Sequence, residues 1–244
     1  LSALVLPVFV SVHSIVSWDF AVQTAVDGWH SPIFAPYFII GAIHSGVSAV
    51  AMVMALMVWL WKWDKYLRPD HFDAIGRLLI IVGTTWFFFF FLEWVFALYT
   101  LEGVEISLRE LQVFQWPYGM LFLIFLATAF FIPVPMWMFK SVRRSAFWMF
   151  FTTVLVNVGM WLERFLIIIP GLVRRQPFTF DWGTYHPSII EILIVAETFA
   201  FVALGMLLFS KFFPLIPIFD IKEGMVVRDE IKIGRRIVPA TIRE

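Results

Sequence analysis

"PYFIIGAIHSGVSAVAMVMALMVWL", residues 36–60, runs for 25 residues without one Asp, Glu, Lys or Arg. The hydrocarbon core of a bilayer is about 30 Å thick and takes about 20 apolar residues of helix. The stretch lacks the period-2 alternation of a half-buried strand, and it is too long for one. It therefore predicts a membrane-spanning helix. Five further runs read the same way, so the predicted spans are 1–19, 36–60, 76–98, 117–139, 146–169 and 189–210. The fold class is all-α integral membrane. A β-barrel would need many shorter alternating segments. Residues 211–244, with Pro214 and Pro217 and then mixed charge, read as a C-terminal tail.

Composition agrees. Of 244 residues, 61% are hydrophobic and only 15% charged, more apolar surface than the core of a soluble domain can hide. The formal net charge is zero, and nothing points to nucleic acid. The chain has no cysteine, which excludes disulfides and iron–sulfur clusters held by this chain. It begins at Leu1 inside an apolar run with no basic leader, so the expectation is that an N-terminal part of a longer protein is missing. Pro36, Pro117 and Pro187 stand near predicted helix starts. Trp59, Trp61, Trp63, Tyr66, Tyr99, Trp116, Tyr118, Trp182 and Tyr185 fall near segment ends as an aromatic belt.

Lys and Arg set the orientation. Lys62, Lys65, Arg68 and Arg77 occupy one connection, Lys140, Arg143 and Arg144 another, and seven more lie in the tail. The alternate connections carry none (20–35), Arg109, and Arg174 with Arg175. The positive-inside rule then places the basic connections and the C-terminus in the cytoplasm.

Ionisable groups inside a span are costly and mark functional sites by default. They are His13, His44, Glu93, Glu163, Arg164, Glu191 and Glu197, with Asp19 at a helix mouth. In this orientation all lie in the outer half, in a layer roughly 10–15 Å deep at about 1.5 Å of rise per residue. Each also has a plainer reading. Glu163 and Arg164 point about 100° apart as neighbours on a helix, so each is expected to pair with groups on other helices. Glu191 reads as solvated rim. Glu93 follows "WFFFFFLE" (86–93); a carboxyl against aromatic walls suits a proton carrier, or it snorkels from a lipid-facing Phe run. Ser14 and Ser17 suit close helix packing. His30, His71 and His186 carry no assigned role. His13 and His44 together suggest a haem b ligand pair, with Gly41 and Gly46 making room beside His44 and nothing comparable beside His13. A transporter would show broken helices and polar groups at the midplane, whereas the candidates lie off-centre.

"SVHSIVSWDFA" (11–21) and the following "GWHSPIFAPYFIIGAIHSG" (28–46) resemble the polysulfide-reductase-type, or NrfD-like, membrane subunits. The resemblance is nearest to the two large, homologous membrane proteins of bacterial alternative complex III, types C and F. "GMWLERF" (159–165) and "FDWGTYHPS" (180–188) add to it. Such proteins have about ten helices, so the chain resembles their C-terminal half or slightly more. The resemblance implies a multi-pass protein of the bacterial inner membrane with no cofactor of its own. Its substrate would be a quinol, such as menaquinol, bound near the periplasmic face in a respiratory or photosynthetic chain. Its partners would be an iron–sulfur protein on the periplasmic side, c-type cytochromes carrying haem, and a homologous membrane protein. Asp19 best matches the family's quinol-site aspartate, with His13 a second contributor. His44, Glu93, Glu163, Arg164 and Glu197 are the candidate proton carriers. The alternative is the F-like case, a scaffold and proton-conducting component without a quinol site.

Overall fold

In hydrocarbon every backbone N–H and C=O must be satisfied within the protein, and a helix does this inside one segment. The computed structural model, which describes residues 2–26, 28–173, 185–213, 229–233 and 236–240, is built this way. Six helices are long and apolar enough to cross a membrane: Ala3–Thr24, Phe34–Trp61, Pro69–Thr100, Tyr118–Met138, Ala146–Leu172 and Ile189–Phe212. All six predicted spans are present. The chain divides into two units, Leu1–Tyr185 and His186–Glu244.

In the first unit α1 (Ser2–Trp18) runs into a π turn at Asp19–Thr24, and α2 spans Phe34–Trp61. α3 spans Pro69–Thr100, and α4 (Gly103–Phe114) is a short helix after it. The fourth span is composite: α5 (Tyr118–Leu126), a π turn at Ala127–Phe131, and α6 (Pro133–Met138). α7 (Lys140–Arg143) leads into α8 (Ala146–Leu172).

α2 is the hub and packs on α1, α3 and α8. His44, Ser48, Ala51 and Ala55 form its fully buried stripe, spaced 4, 3 and 4 residues so that they share one face. Three are small, and small residues let membrane helices approach closely. Trp86, Trp137, Phe125, Leu79, Met149 and Val156 fill the interior. At the basic end Asp73 meets Arg77 at 2.5 Å and Arg143 at 2.8 Å. Arg143 also donates to the carbonyls of Trp137 and Met138, which ties the start of α3 to the end of the fourth span.

The second unit contains α9 (Ile189–Phe212), opened by a capping box in which Ser188 and Glu191 bond reciprocally. It also contains a short antiparallel pair, β1 (Asp229–Ile233) and β2 (Arg236–Ala240). That pair is the one departure from an all-helical chain among the described residues. The rest of the predicted tail lies outside them, as do Arg174, Arg175 and Trp182.

Three details differ from the sequence reading. α3 starts at Pro69, two turns before 76, because its charged first turns stand outside the apolar run and need no hydropathy. A helix, α4, occupies the 99–116 connection. Tyr118 is buried rather than in the belt, whereas Tyr99 and Trp116 are widely exposed.

Candidate functional site

Three helix faces converge at the end of the first unit away from Arg143. On α2, Tyr37 and His44 lie seven residues apart; on α3, Trp86, Phe90, Glu93 and Ala97 form an inward stripe at helical spacing. On α8, Glu163 follows the tight approach at Gly159, where an added Cβ would lie 2.6 Å from the Ala129 nitrogen.

Glu163 is 1% exposed. Its Oε1 accepts from the Tyr37 hydroxyl and from Trp86 Nε1. Its Oε2 has no hydrogen bond and lies 3.4 Å from Arg164 Nη2. Glu163 thus does pair with other helices, but the neighbouring Arg164 also folds back toward it. That differs from the expectation for adjacent residues, because the long arginine stem spans the angle between their Cβ directions. The Arg164 guanidinium lies 4.1 Å over the Phe38 ring.

Glu93 is 5% exposed and its Oε2 has no hydrogen-bond partner. Its Oε1 lies 4.0 Å from Arg109 Nη2. Arg109 comes from α4, where it donates to Glu105 at 2.7 Å and to Gln112 at 3.2 Å and sits over the Trp94 ring. Gln112 in turn donates to the Leu166 carbonyl on α8 at 2.9 Å. Glu105 accepts from the backbone N–H of Gly28 at 3.0 Å. Gly28 has φ +97°, a conformation side chains rarely allow, and this geometry brings its N–H to the carboxylate. On α4, Glu105, Arg109 and Gln112 face inward together with Leu108 and Leu111, while Val104, Glu110 and Phe114 are exposed.

Two spaces adjoin Glu93. One, of about 280 Å³, is lined by Gly28, His30, Ser31, Glu93, Ala97 and Glu105 among others. The second, of about 20 Å³, lies between Glu93, Tyr37, Arg109 and Glu163. It has room for about one water. The ionic groups here are three buried carboxylates, Glu93, Glu105 and Glu163, against the buried guanidinium of Arg109, the quarter-exposed one of Arg164 and the part-exposed His30. With the imidazole neutral and the rest ionised they leave one excess negative charge, and an uncompensated buried charge is strongly destabilising. The cluster is chemically equipped to hold one exchangeable proton.

His44 is fully buried, stacked on Trp86 and edge-on to Trp137. Its Nε2 lies 3.3 Å from the Ala129 carbonyl. Pro133 has no N–H, so the α-helical bond to that carbonyl cannot form, and His44 takes its place. Among the described residues no three His, Cys, Asp or Glu side chains are grouped to hold a metal.

Of the sequence candidates, Glu93, Glu163, Arg164 and His44 come together around α2, α3 and α8. His13 is half-buried, its ring between Phe9 and Phe38. Asp19 is exposed at the start of the π turn, and Glu197 is exposed on α9. Sequence reasoning missed Tyr37, Glu105, Arg109, Gln112 and His30, the last of which lies 3.4 Å from Glu102. The i, i+4, i+7 spacing of Glu105, Arg109 and Gln112 was the available signal.

Residues 1–175 match the family described as polysulphide reductase, NrfD. The chain belongs to that family. The matched span covers α1 to α8 and so includes the whole buried cluster. The chain is also 24% identical, over 241 residues, to a Halobacterium salinarum protein described as a dimethyl sulfoxide reductase membrane subunit. That alignment covers 86% of this chain and 52% of the relative, so this NrfD-family chain spans about half the relative's length.

Proposed function

We propose that this chain is a membrane-embedded part of a quinol oxidoreductase complex, of the alternative complex III type, and that it carries protons for it. The observation behind this reading is the buried set Glu93, Glu105 and Glu163, one charge short of neutrality and joined by the two small spaces beside Glu93. A quinol releases two protons as its electrons leave. A carboxyl with an unpartnered oxygen and a water-sized gap to the next carboxyl is what a relay needs. Glu93 and Glu163 are the relay, Arg164 and Arg109 balance their charge, and His44 lies one indole further along α2. Glu197 is a further carrier on α9. Asp19 and His13 contact the quinol. The substrate in this reading is a quinol such as menaquinol. The partners in this reading are an iron–sulfur protein on the periplasmic side, c-type cytochromes with their haems, and a homologous membrane protein, in a bacterial inner membrane with the C-terminus in the cytoplasm.

The buried carboxylate cluster, which includes neither Asp19 nor His13, also supports a second reading, a proton-conducting component with no quinol site of its own. Binding of a quinone analogue separates the two.

The test of the relay is Glu163→Gln in the assembled complex in vesicles, with electron transfer and proton release followed together. The amide oxygen still accepts from Tyr37 and Trp86, so the fold is kept. Proton release coupled to quinol oxidation should slow by about tenfold or more. Wild-type rates in both assays would remove Glu163 from the pathway.

A further inference from the structure

Among the described residues of the second unit, β1 and β2 form a two-stranded sheet with no third strand. Such a ribbon is marginal in water on its own, and further strands stabilise it. Its register tells which edge can take one. Asp229 pairs with Ala240, Glu230 with Pro239, Ile231 with Val238, Lys232 with Ile237 and Ile233 with Arg236. Ile233 and Arg236 are three positions apart, so they pair only by exchanging both backbone hydrogen bonds. Antiparallel pairs alternate between bonded and non-bonded. Ile231–Val238 and Asp229–Ala240 are therefore bonded pairs as well. Lys232–Ile237 and Glu230–Pro239 are not, and the backbone groups of these residues point away from the ribbon. Pro239 fits this register, since it has no N–H to give. The two outer edges thus differ. The β2 edge is interrupted at Pro239, which blunts it. On the β1 edge Glu230 and Lys232 each offer both a donor and an acceptor.

The β1 edge is also self-complementary. "EIK" (230–232) is centred on Ile231. Let two β1 strands meet antiparallel about a two-fold axis between their Ile231 residues. Glu230 of each copy then stands opposite Lys232 of the other. These are bonded pairs, because the outward-pointing backbone groups belong to these two residues. Opposite charges directly across an antiparallel pair are favourable, and like charges are not. Alternation places Ile231, Ile233 and Val238 on one face, so the joined sheet gathers the apolar positions of both copies on one side.

We propose that β1 is a homotypic docking edge, through which two copies of this chain join into one sheet in the order β2–β1–β1–β2. Two chains inserted the same way round in a membrane are related by a two-fold axis along its normal, and a closed two-fold contact is what this edge satisfies. The pairing does not depend on the quinol reading.

The experiment is disulfide trapping of the full chain in its native membranes, which the absence of cysteine allows. In the pairing the two Ile231 residues form a non-bonded pair with Cα atoms about 4.5 Å apart, within disulfide reach. Ile231→Cys should give, on mild oxidation, a dimer that contains only this chain. Ile237→Cys, on the outer strand, should give none, because three strand spacings put the two positions roughly 14 Å apart. In the Ile231→Cys background, Lys232→Glu should lower the yield about tenfold, as both opposite-charge pairs become like-charge pairs. Adding Glu230→Lys exchanges the two charges and should restore it. No dimer with Ile231→Cys, cross-linking to a different protein instead, or equal dimer with Ile237→Cys would each overturn the pairing. So would a yield unmoved by Lys232→Glu, or one that the exchanged pair fails to restore.

Discussion

Gly159 decides how closely α8 approaches the fourth span. An added Cβ would meet the backbone nitrogen of Ala129 at 2.6 Å and Thr128 Oγ1 at 2.7 Å. A backbone cannot rotate away as a side chain can, so Gly159→Ala must push the helices apart. Overpacking of this kind destabilises by about 1–3 kcal/mol. Thermal unfolding in detergent should show a lower midpoint for Gly159→Ala; an unchanged midpoint would mean that the helices separate freely. The shift would also move Glu163, one turn along α8, away from Tyr37 and Trp86. At this scale the sequence was only partly legible. Glu93 and Glu163 stood out because a carboxyl in an apolar run is rare. Arg109 did not, because a charge in a connection reads as solvated. Tyr37 did not, because a tyrosine beside a helix start carries no signal of its own. Tyr37 gains its role from Glu163, 126 residues away, and no local pattern encodes that; Arg109 pairs within its own helix, and only its approach to Glu93 joins two elements.

The fourth span shows the same limit for an element. Its apolar run was plain, and its break was not, although Pro133 and Pro135 lie in it. Proline in a span is tolerated where a neighbour satisfies the freed carbonyl, and that neighbour, His44, sits on another helix. The pairing predicts an interaction between two substitutions. His44→Ala should destabilise the protein, by loss of the bond to Ala129 and by the void left between Trp86 and Trp137. In a Pro133→Ala background the new N–H can satisfy the Ala129 carbonyl, so the same substitution should cost about 1 kcal/mol less, roughly the worth of one hydrogen bond. Denaturant unfolding of the four proteins in micelles measures the difference. Strict additivity would remove the clamp and leave His44 free for the relay alone. α4 illustrates the opposite failure. Twelve residues of low hydropathy are invisible to a search for spans, yet their polar face closes the Glu93 cluster from above.

For the whole molecule, the spans and the separation of charge were the most legible features, because bilayer thickness and hydropathy act on every residue of a segment together. Asp73, Arg77, Arg143 and Arg144 gather at one end of the first unit, and Glu93, Glu102, Glu105 and Arg109 at the other. If the basic end faces the cytoplasm, the cluster and its cavity open toward the opposite surface, where a quinol complex of the proposed kind would release protons. The chain offers a direct way to check this, since it contains no cysteine. Glu110→Cys, on the exposed side of α4, should react with a membrane-impermeant maleimide in intact spheroplasts. Lys140→Cys, at the turn before α8, should react only after the membrane is permeabilised. Both positions are exposed, so reactivity reports the side of the membrane and not burial. The reverse pattern would invert the molecule. The buried carboxylates would then open to the cytoplasm, and the relay from Glu93 to Glu163 would serve proton uptake in place of release.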